Sequence, residues 1–105
     1  ERRLDPKNAR LLAQLADCYA MLGEGLRARP LAAEAGTLAP ADRRVGATLA
    51  GVFEQLGDRD AALRWLGVAL QSGYPRADLD SDPTFEKLRT DPRWKKLAQV
   101  RTIPP

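Results

Sequence analysis

The strongest constraint on the fold of this chain is an internal repeat with a period of 34 residues. Seven pairs of identical or similar residues share that offset: Pro6 with Pro40, Leu15 with Leu49, Ala16 with Ala50, Tyr19 with Phe53, Gly23 with Gly57, Ala28 with Ala62, and Ala35 with Ala69. A period of about 20–50 residues is typical of proteins in which each unit stacks on its neighbours. The sequence therefore predicts two copies of one structural unit.

Each copy has the pattern of two helices. In the first copy, six residues at helical spacing predict one inward-facing apolar side of the first helix. They are Leu11, Leu12, Leu15, Cys18, Tyr19 and Leu22. Asn8 is the predicted N-cap of this helix, and Gly23 ends it. The second helix is predicted over 26–38, and Pro30 in its early turns predicts a late or irregular start.

The second copy has the clearer helix signals. Asp42 and Asp58 are the predicted N-caps of its two helices, and Gly57 separates them. The predicted inward-facing residues are Val45, Leu49, Val52, Phe53 and Leu56 in the first helix, and Ala62, Leu66 and Ala69 in the second. Gly73-Tyr74-Pro75 is expected to end the copy.

Composition excludes several classes of active site. The chain has 105 residues, a net charge of +3, one cysteine and no histidine. Nucleophile–histidine pairs are therefore excluded, and Cys18 has no second cysteine with which to form an intramolecular disulfide. The carboxylates are scattered and no glycine-rich phosphate loop is present. We therefore predict no enzyme activity, no catalytic residue and no cofactor.

Metal binding and membrane insertion are not expected either. Asp78, Asp80 and Asp82 alternate like the start of a calcium loop, but the glycine and the closing glutamate of such a loop are missing. No metal site is therefore predicted. No apolar run approaches the roughly 20 residues that span a bilayer, and no secretory leader is visible. The sequence thus predicts a cytoplasmic protein without membrane contact.

The repeated unit resembles the tetratricopeptide repeat, whose pattern is Trp-x2-Leu-Gly-x2-Tyr, then Ala-x3-Phe, then Pro. The matching runs are Leu12-x2-Leu15-Ala16-x2-Tyr19, Ala28-x3-Ala32 and Pro40 in the first copy, and Gly46-x2-Leu49-Ala50-x2-Phe53, Ala62-x3-Leu66 and Pro75 in the second. Both copies depart from the family at the early aromatic, which is Leu12 or Gly46, and at the later Phe. The resemblance covers roughly residues 4–75.

This resemblance implies an all-α fold of antiparallel helix-turn-helix repeats, stacked in a right-handed superhelix with short C-terminal capping helices. The implied divisions are the end of a preceding repeat or a leading segment at 1–8, repeats at 9–40 and 41–75, capping helices within 76–101, and a tail at 102–105. The implied function is a non-catalytic scaffold that binds a peptide or partner protein on its concave surface. Because the chain does not begin with Met, we interpret it as the C-terminal end of a longer array.

Residues opposite the predicted apolar sides are the candidates for that concave surface. They are Arg10, Ala13, Asp17, Ala20 and Met21 on the first helix, and Arg44, Ala47, Gly51 and Glu54 on the third. We expect a peptide segment to lie over the small residues of this set. Arg10 and Arg44 would then offer charge-assisted hydrogen bonds to it.

The C-terminal part contains one pattern twice, as Asp82-Pro83-x-Phe85-x-x-Leu88 and Asp91-Pro92-x-Trp94-x-x-Leu97. Asp as N-cap followed by Pro at the first helical position predicts two short helices, each with an aromatic and a leucine on one face. We predict that this segment folds over the last repeat helix, against Trp65. It is similar to the ends of tetratricopeptide arrays in bacterial multidomain signalling proteins.

Two alternative functions stay open. The first is self-association into a homo-oligomer through an exposed repeat face. The second is nucleic-acid contact through the basic C-terminal segment. Its residues are Lys87, Arg89, Arg93, Lys95, Lys96 and Arg101, with Phe85 and Trp94 between them. The spacing of the aromatics favours an inward orientation, so nucleic acid is not the expected partner.

Overall fold

The computed structural model describes residues 6–100, which form six α-helices and no strand. The helices are α1 (Pro6–Met21), α2 (Gly25–Leu38), α3 (Arg43–Gln55), α4 (Arg59–Gln71), α5 (Arg76–Ser81) and α6 (Pro92–Val100). Two 3₁₀ turns, Pro83–Phe85 and Leu88–Thr90, lie between α5 and α6. The predicted all-α class is confirmed for this part of the chain. None of its helices combines the length and the apolar character needed to cross a membrane.

The same tight turn joins the helices of each pair. α1 and α3 end 34 residues apart, and α2 and α4 begin 34 residues apart. Gly23 and Gly57 have φ values of 79° and 84°, a region in which side chains other than glycine are strained. The carbonyls of Tyr19 and Phe53 each accept a hydrogen bond of 2.8 Å from the N–H five residues further on. The sequence period thus reappears as a repeated turn geometry.

The two aspartates of the second copy are helix N-caps, as predicted. The Asp42 carboxylate accepts hydrogen bonds from the N–H groups of Arg44 and Val45, at 2.9 and 3.1 Å. The Asp58 carboxylate accepts one from the N–H of Ala61, at 3.2 Å. Each bond satisfies an N–H that the helix itself leaves without a partner.

Two predictions about helix starts are wrong. α1 already includes Pro6, so Asn8 lies inside the helix rather than at its N-cap. α2 begins at Gly25 and continues past Pro30 without interruption. Pro30 is exposed and removes only the N–H that would reach the carbonyl of Leu26. Because Leu26 is itself 92% exposed, water can solvate its carbonyl, and the helix tolerates the proline. Residues 1–5 and 101–105 of the predicted terminal divisions lie outside the described residues.

The predicted inward face of α1 is confirmed only for Leu12 and Tyr19, which pack, partly buried, against the core. For the other four residues it is wrong, because α1 turns a different side fully inward. The buried residues of this helix are Ala9, Ala13, Ala16 and Ala20. Leu11, Leu15 and Leu22 are 63%, 46% and 70% exposed, and Cys18 is exposed as well. α1 packs against both α2 and α3, and small side chains let three helices approach closely. We call the outward stripe of Leu11, Leu15, Cys18 and Leu22 the leucine face.

The predicted inner sides of α3 and α4 are largely confirmed. Their fully buried members are Val45, Leu49 and Val52 in α3, and Ala62, Leu66 and Ala69 in α4. Gly46 allows these two helices to approach closely. A Cβ atom at this position would lie 3.0 Å from the backbone nitrogen of Ala69 and 3.2 Å from the carbonyl oxygen of Trp65.

Residues 76–97, which we call the closing segment, fold back over α3 and α4. The carboxylates of Asp82 and Asp91 accept hydrogen bonds of 2.9 Å from the N–H two residues further on, as expected of N-caps. Phe85 and Trp94 are 2% and 7% exposed, and their ring centroids are 6.1 Å apart. They share one apolar cluster with Leu66 and other α4 residues. The predicted inward orientation of the two aromatic residues against α4 is therefore confirmed. Of the two predicted short helices, only the second is an α-helix, and the first is a 3₁₀ turn.

Trp65 has more contacts than the predicted one with the closing segment. Its ring lies against α2 at Gly36, where a Cβ atom would be 2.7 Å from the ring. It also packs, partly buried, against the cluster that contains Phe85 and Trp94. Trp65 therefore connects the first helical pair to the second and to the closing segment.

Two arginines hold the closing segment in place. Arg89 donates hydrogen bonds of 2.9 and 3.0 Å to the carbonyls of Leu79 and Asp82, at the end of α5. Arg93 pairs with Asp91 and, at 2.6 Å, with Asp60 of α4. The segment is thus fixed by polar contacts at its surface as well as by its buried aromatic residues.

Candidate functional site

Four of the predicted concave-surface residues line one continuous depression, which we call the α3–α5 groove. Its wider part, about 390 Å³, lies between α3 and the start of α5. It is lined by Arg43, Arg44, Ala47, Thr48, Tyr74, Pro75 and Asp78. An adjoining recess of about 160 Å³ shares three of these residues and is otherwise lined by Asp17, Gly51, Asp82, Thr84 and Phe85. The predicted members are Asp17, Arg44, Ala47 and Gly51.

The wider part of the groove carries a net positive charge. Arg43 and Arg44 follow the Asp42 cap at the start of α3, and both side chains are exposed. Asp78 is the one acidic residue among the lining residues of this part. Tyr74 is half-buried and supplies an aromatic wall, while Ala47 provides a small floor. An anionic group with an adjacent flat or apolar group fits this combination.

The recess at the other end carries two carboxylates, those of Asp17 and Asp82. Burial raises the pKa of Asp17 above its ordinary value of 3.8, and the negative charge of Asp82 raises it further. A hydrogen bond of 2.8 Å from the Gln55 amide to the Asp17 carboxylate acts in the opposite direction and only partly offsets them. The ionised Asp17 is therefore held in surroundings that disfavour it, and a cation placed here would stabilise it.

Replacing Asp17 with asparagine is expected to raise the free energy of unfolding at pH 7. The folded-state pKa of Asp17 is raised, so on acidification the folded state takes up this proton before the unfolded state does. The loss of unfolding free energy that ionised Asp17 causes in the wild type therefore disappears as the pH falls toward the pKa of this carboxyl in the unfolded state, near 4. Urea denaturation of both proteins between pH 7 and pH 4 checks this. A difference that does not change with pH would contradict the electrostatic cause, since the asparagine keeps the acceptor for Gln55.

Ala13 and Ala20 were predicted on the concave surface but lie in the core. They are 0% and 7% exposed, because α1 packs with its alanine side inward. Gly51 is also buried, since the Thr84 methyl of the closing segment covers it at 3.4 Å from where a Cβ would stand. The open floor expected at Ala13 and Gly51 is therefore absent, and the floor of the groove reduces to Ala47.

Arg10 has a structural role outside the groove. It forms an ion pair of 3.0 Å with Asp42, which links α1 to the N-cap of α3. Burial would raise the pKa of Asp42, but hydrogen bonds from the Val45 N–H, from Arg10 and from the Arg44 N–H outweigh it and hold this pKa below its ordinary value. Arg10 is therefore not among the groove-lining residues, although the sequence predicted it as a partner contact.

Glu54 and Met21 also lie away from the groove. Glu54 pairs with Arg59 at 2.9 Å, and its side chain is largely buried by that contact. Met21 is exposed at the end of α1 and does not line the groove. The Met21 prediction depended on the wrong face of α1, whereas the Glu54 prediction did not include the ion pair of Glu54 with Arg59.

Several lining residues were missed because most of them follow α4, either just before the closing segment or within it. Thr48 belongs to α3, but Tyr74, Pro75, Asp78, Asp82 and Thr84 follow α4. The sequence interpretation treated Gly73-Tyr74-Pro75 only as the end of a helix. The available signal was Tyr74, an aromatic residue next to the turn proline Pro75. This signal does not indicate a groove by itself, because Tyr74 lines one only through the packing of α5 beside α3.

The three alternating aspartates have separate roles. Asp78 lines the groove, Asp80 forms an ion pair of 3.6 Å with Arg76, and Asp82 caps a 3₁₀ turn. Within residues 6–100, no three acidic or cysteine side chains are grouped so that they could hold a metal ion.

A second cleft, of about 470 Å³, lies between α4 and α6. Leu63, Leu70 and Leu97 form its mainly apolar lining. Arg93 and Asp60, at its edge, bind each other at 2.6 Å. Two of the polar groups that could orient a ligand are thus already paired, which makes this cleft a weaker candidate than the groove.

The basic C-terminal segment does not present its aromatic residues to solvent. Phe85 and Trp94 are buried in the apolar cluster, as their spacing predicted. Arg89 and Arg93 are engaged in the contacts described above. Base stacking on these two rings, which the nucleic-acid alternative required, is therefore not available in this fold.

Comparisons of the chain with models of known protein families, with curated protein sequences and with solved structures found no match. The case for a binding site therefore depends on the geometry and the charges of the α3–α5 groove.

Proposed function

We propose that this chain is a non-catalytic protein-interaction module, and that its α3–α5 groove binds an extended segment of a partner protein. The observation that carries the proposal is the charge pattern of the groove. Two exposed arginines line one end and two carboxylates line the other, with Ala47, Thr48 and Tyr74 common to both parts. A peptide with an acidic and a basic side chain at suitable spacing complements this pattern.

The helical pairs are proposed to be stacked as in tetratricopeptide arrays, in a right-handed superhelix with a closing cap. The repeated turn at Gly23 and Gly57 supports this assignment, together with the residues that resemble the family pattern. In that arrangement α1, α3 and α5 are the first helices of successive units. The groove between α3 and α5 then corresponds to the concave surface, on which such arrays bind partners.

Each part of the groove would make a different contact with the bound segment. Arg44 would form charge-assisted hydrogen bonds with a carboxylate of the peptide. A lysine or arginine of the peptide would lie near Asp17, where it would offset the burial that raises the pKa of this carboxyl. Ala47, being small, lets the peptide backbone approach α3, and Tyr74 packs beside it.

The proposal is tested by selecting binding peptides from a random display library and measuring their affinity for purified variants. Peptides that carry one acidic and one basic residue are expected to be enriched. Arg44→Glu should weaken their binding about 10–100-fold, as expected for loss of a hydrogen-bonded charge pair. Arg64→Glu is the matched control, because Arg64 is also exposed on a helix but does not line the groove.

Arg10 is unsuitable for this test, although the sequence placed it beside Arg44. Its charge reversal would break the ion pair with Asp42 and disturb the start of α3. A selection that enriches no peptide would contradict the proposal. Equal losses of affinity in Arg44→Glu and Arg64→Glu would contradict it as well, since they would indicate a non-specific effect of net charge.

A further inference from the structure

We propose that the leucine face is a second interaction surface, and that its partner is the same face of a second copy of this chain. In the proposed dimer, the two α1 helices pack antiparallel about a two-fold axis that passes between Leu15 and Cys18. The sequence left self-association open as an alternative, through the exposed face of the N-terminal repeat. The structure places it on α1, on a surface separate from the α3–α5 groove.

The leucine face contains three of the five large apolar side chains that are exposed among the described residues. The other two are Met21, at the end of α1, and Leu26, the second residue of α2. The core does not need this side of α1, because the alanine side packs against α2 and α3. Contiguous exposed apolar residues of this kind are typical of protein–protein interaction sites.

The spacing along α1 favours a copy of itself as the partner. The stripe residues follow one another at intervals of four, three and four, which is the spacing of a coiled-coil seam. This order is the same from either end. In an antiparallel pair, Leu11 of one copy therefore lies opposite Leu22 of the other, and Leu15 lies opposite Cys18. Every stripe position meets an apolar residue, as an isologous interface requires.

The charges at the two ends of α1 favour the antiparallel orientation. Lys7 lies in the first turn of α1, and Glu24 lies just beyond its last turn. In an antiparallel pair, Lys7 of each copy lies near the carbonyl end of the other copy's α1, whereas Glu24 of that copy is already paired with its own Arg27 at 3.3 Å. The carbonyl end favours a cation, and a parallel pair would instead bring the two Lys7 side chains together. No stripe residue is charged, so nothing along the seam opposes contact.

Sedimentation equilibrium over a range of protein concentrations tests the dimer. A reversible monomer–dimer equilibrium is expected for the wild-type chain. Leu15→Glu should raise the dimer dissociation constant tenfold or more, because it places a carboxylate near the two-fold axis. Leu22→Glu, at a more exposed position, is the second variant if Leu15→Glu disturbs folding. Gln71→Glu, an exposed position on α4, is the matched control and should leave the dissociation constant unchanged.

Cross-linking tests the orientation of the two helices. In the antiparallel pair the two Cys18 residues are offset by three residues, or about 4.5 Å along the axis, between helices about 8–10 Å apart. A short bis-maleimide should therefore join them. A cysteine introduced by Leu11→Cys in a Cys18→Ser chain should not be joined, because the offset becomes about 16 Å. Ser81→Cys in the same background is the control for collisional cross-linking.

Three outcomes would overturn the proposal. The first is a chain that stays monomeric up to the highest soluble concentration. The second is a dimer with the same dissociation constant after Leu15→Glu and Leu22→Glu. The third is cross-linking through Leu11→Cys as readily as through Cys18, which would indicate a parallel pair. None of these results bears on the peptide groove, which the leucine-face substitutions leave unchanged.

Discussion

Replacing Trp94 with alanine is expected to lower the free energy of unfolding by about 3–5 kcal/mol. The Trp94 ring is buried beside Phe85, and both belong to the cluster that joins the closing segment to α4. A domain of this size has a total stability of about 5–15 kcal/mol, so the loss is a large part of it. Urea denaturation followed by far-ultraviolet circular dichroism measures the change without depending on the fluorescence of the tryptophan that is removed.

Lys95→Ala is the matched control for this substitution. Lys95 is the next residue of α6 and is exposed, so its truncation should change the free energy of unfolding by about 0.5 kcal/mol or less. If Trp94→Ala were as stable as the parent, the closing segment would contribute nothing to the cooperative fold. The buried position of Trp94 would then have to be explained by something other than core packing.

The closing segment was predictable because its signals are local. An aspartate cap, a proline at the first helical position and an aromatic residue three before a leucine all act within one turn of helix. Neither Asp82 nor Asp91 needs a distant residue in order to cap, and the structure has both carboxylates bonded to the N–H two residues on. The sequence did not reveal α5, which is short and carries no side-chain cap of its own.

The orientation of α1 was not predictable from its own residues. The leucines of the leucine face and the buried alanines have the same spacing along the helix, so periodicity marks two sides rather than one. Hydrophobicity favours the leucine side for the core. Close packing against α2 and α3 favours the alanine side, and that choice depends on the positions of other helices, which the residues of α1 do not encode.

The residues that line the groove were predictable only where the orientation of their helix was predicted correctly. Arg44 and Ala47 face it because the orientation of α3 was predicted correctly from its buried valines and leucine. Ala13 failed because it depended on α1. Tyr74 and Asp82 could not be found, because their place beside α3 is set by the way the closing segment folds back. Sequence patterns identify helices and caps, whereas a groove between segments is a property of their packing.

Replacing Gly46 with leucine is expected to lower the free energy of unfolding by about 3 kcal/mol or more. Its Cβ alone would stand 3.0 Å from the Ala69 nitrogen and 3.2 Å from the Trp65 carbonyl oxygen. These neighbours are backbone atoms of α4, so no side chain can move aside, and the two helices must separate. Separation would also loosen the buried cluster that Ala50 of α3 shares with Ala62 and Leu66 of α4. Urea denaturation measures the change.

The matched comparison is between Gly46→Ala and Gly67→Ala. Both positions lie within helices, so alanine gains about 1 kcal/mol of helix propensity at each. At Gly67 the new Cβ would lie 3.7 Å from the Leu97 side chain, an ordinary contact, so this variant should be more stable than the parent. At Gly46 the backbone contact should cancel or exceed the same gain. Equal stabilisation at both positions would mean that α3 and α4 can separate without cost, and the close approach at Gly46 would then contribute nothing to the packing of the second helical pair.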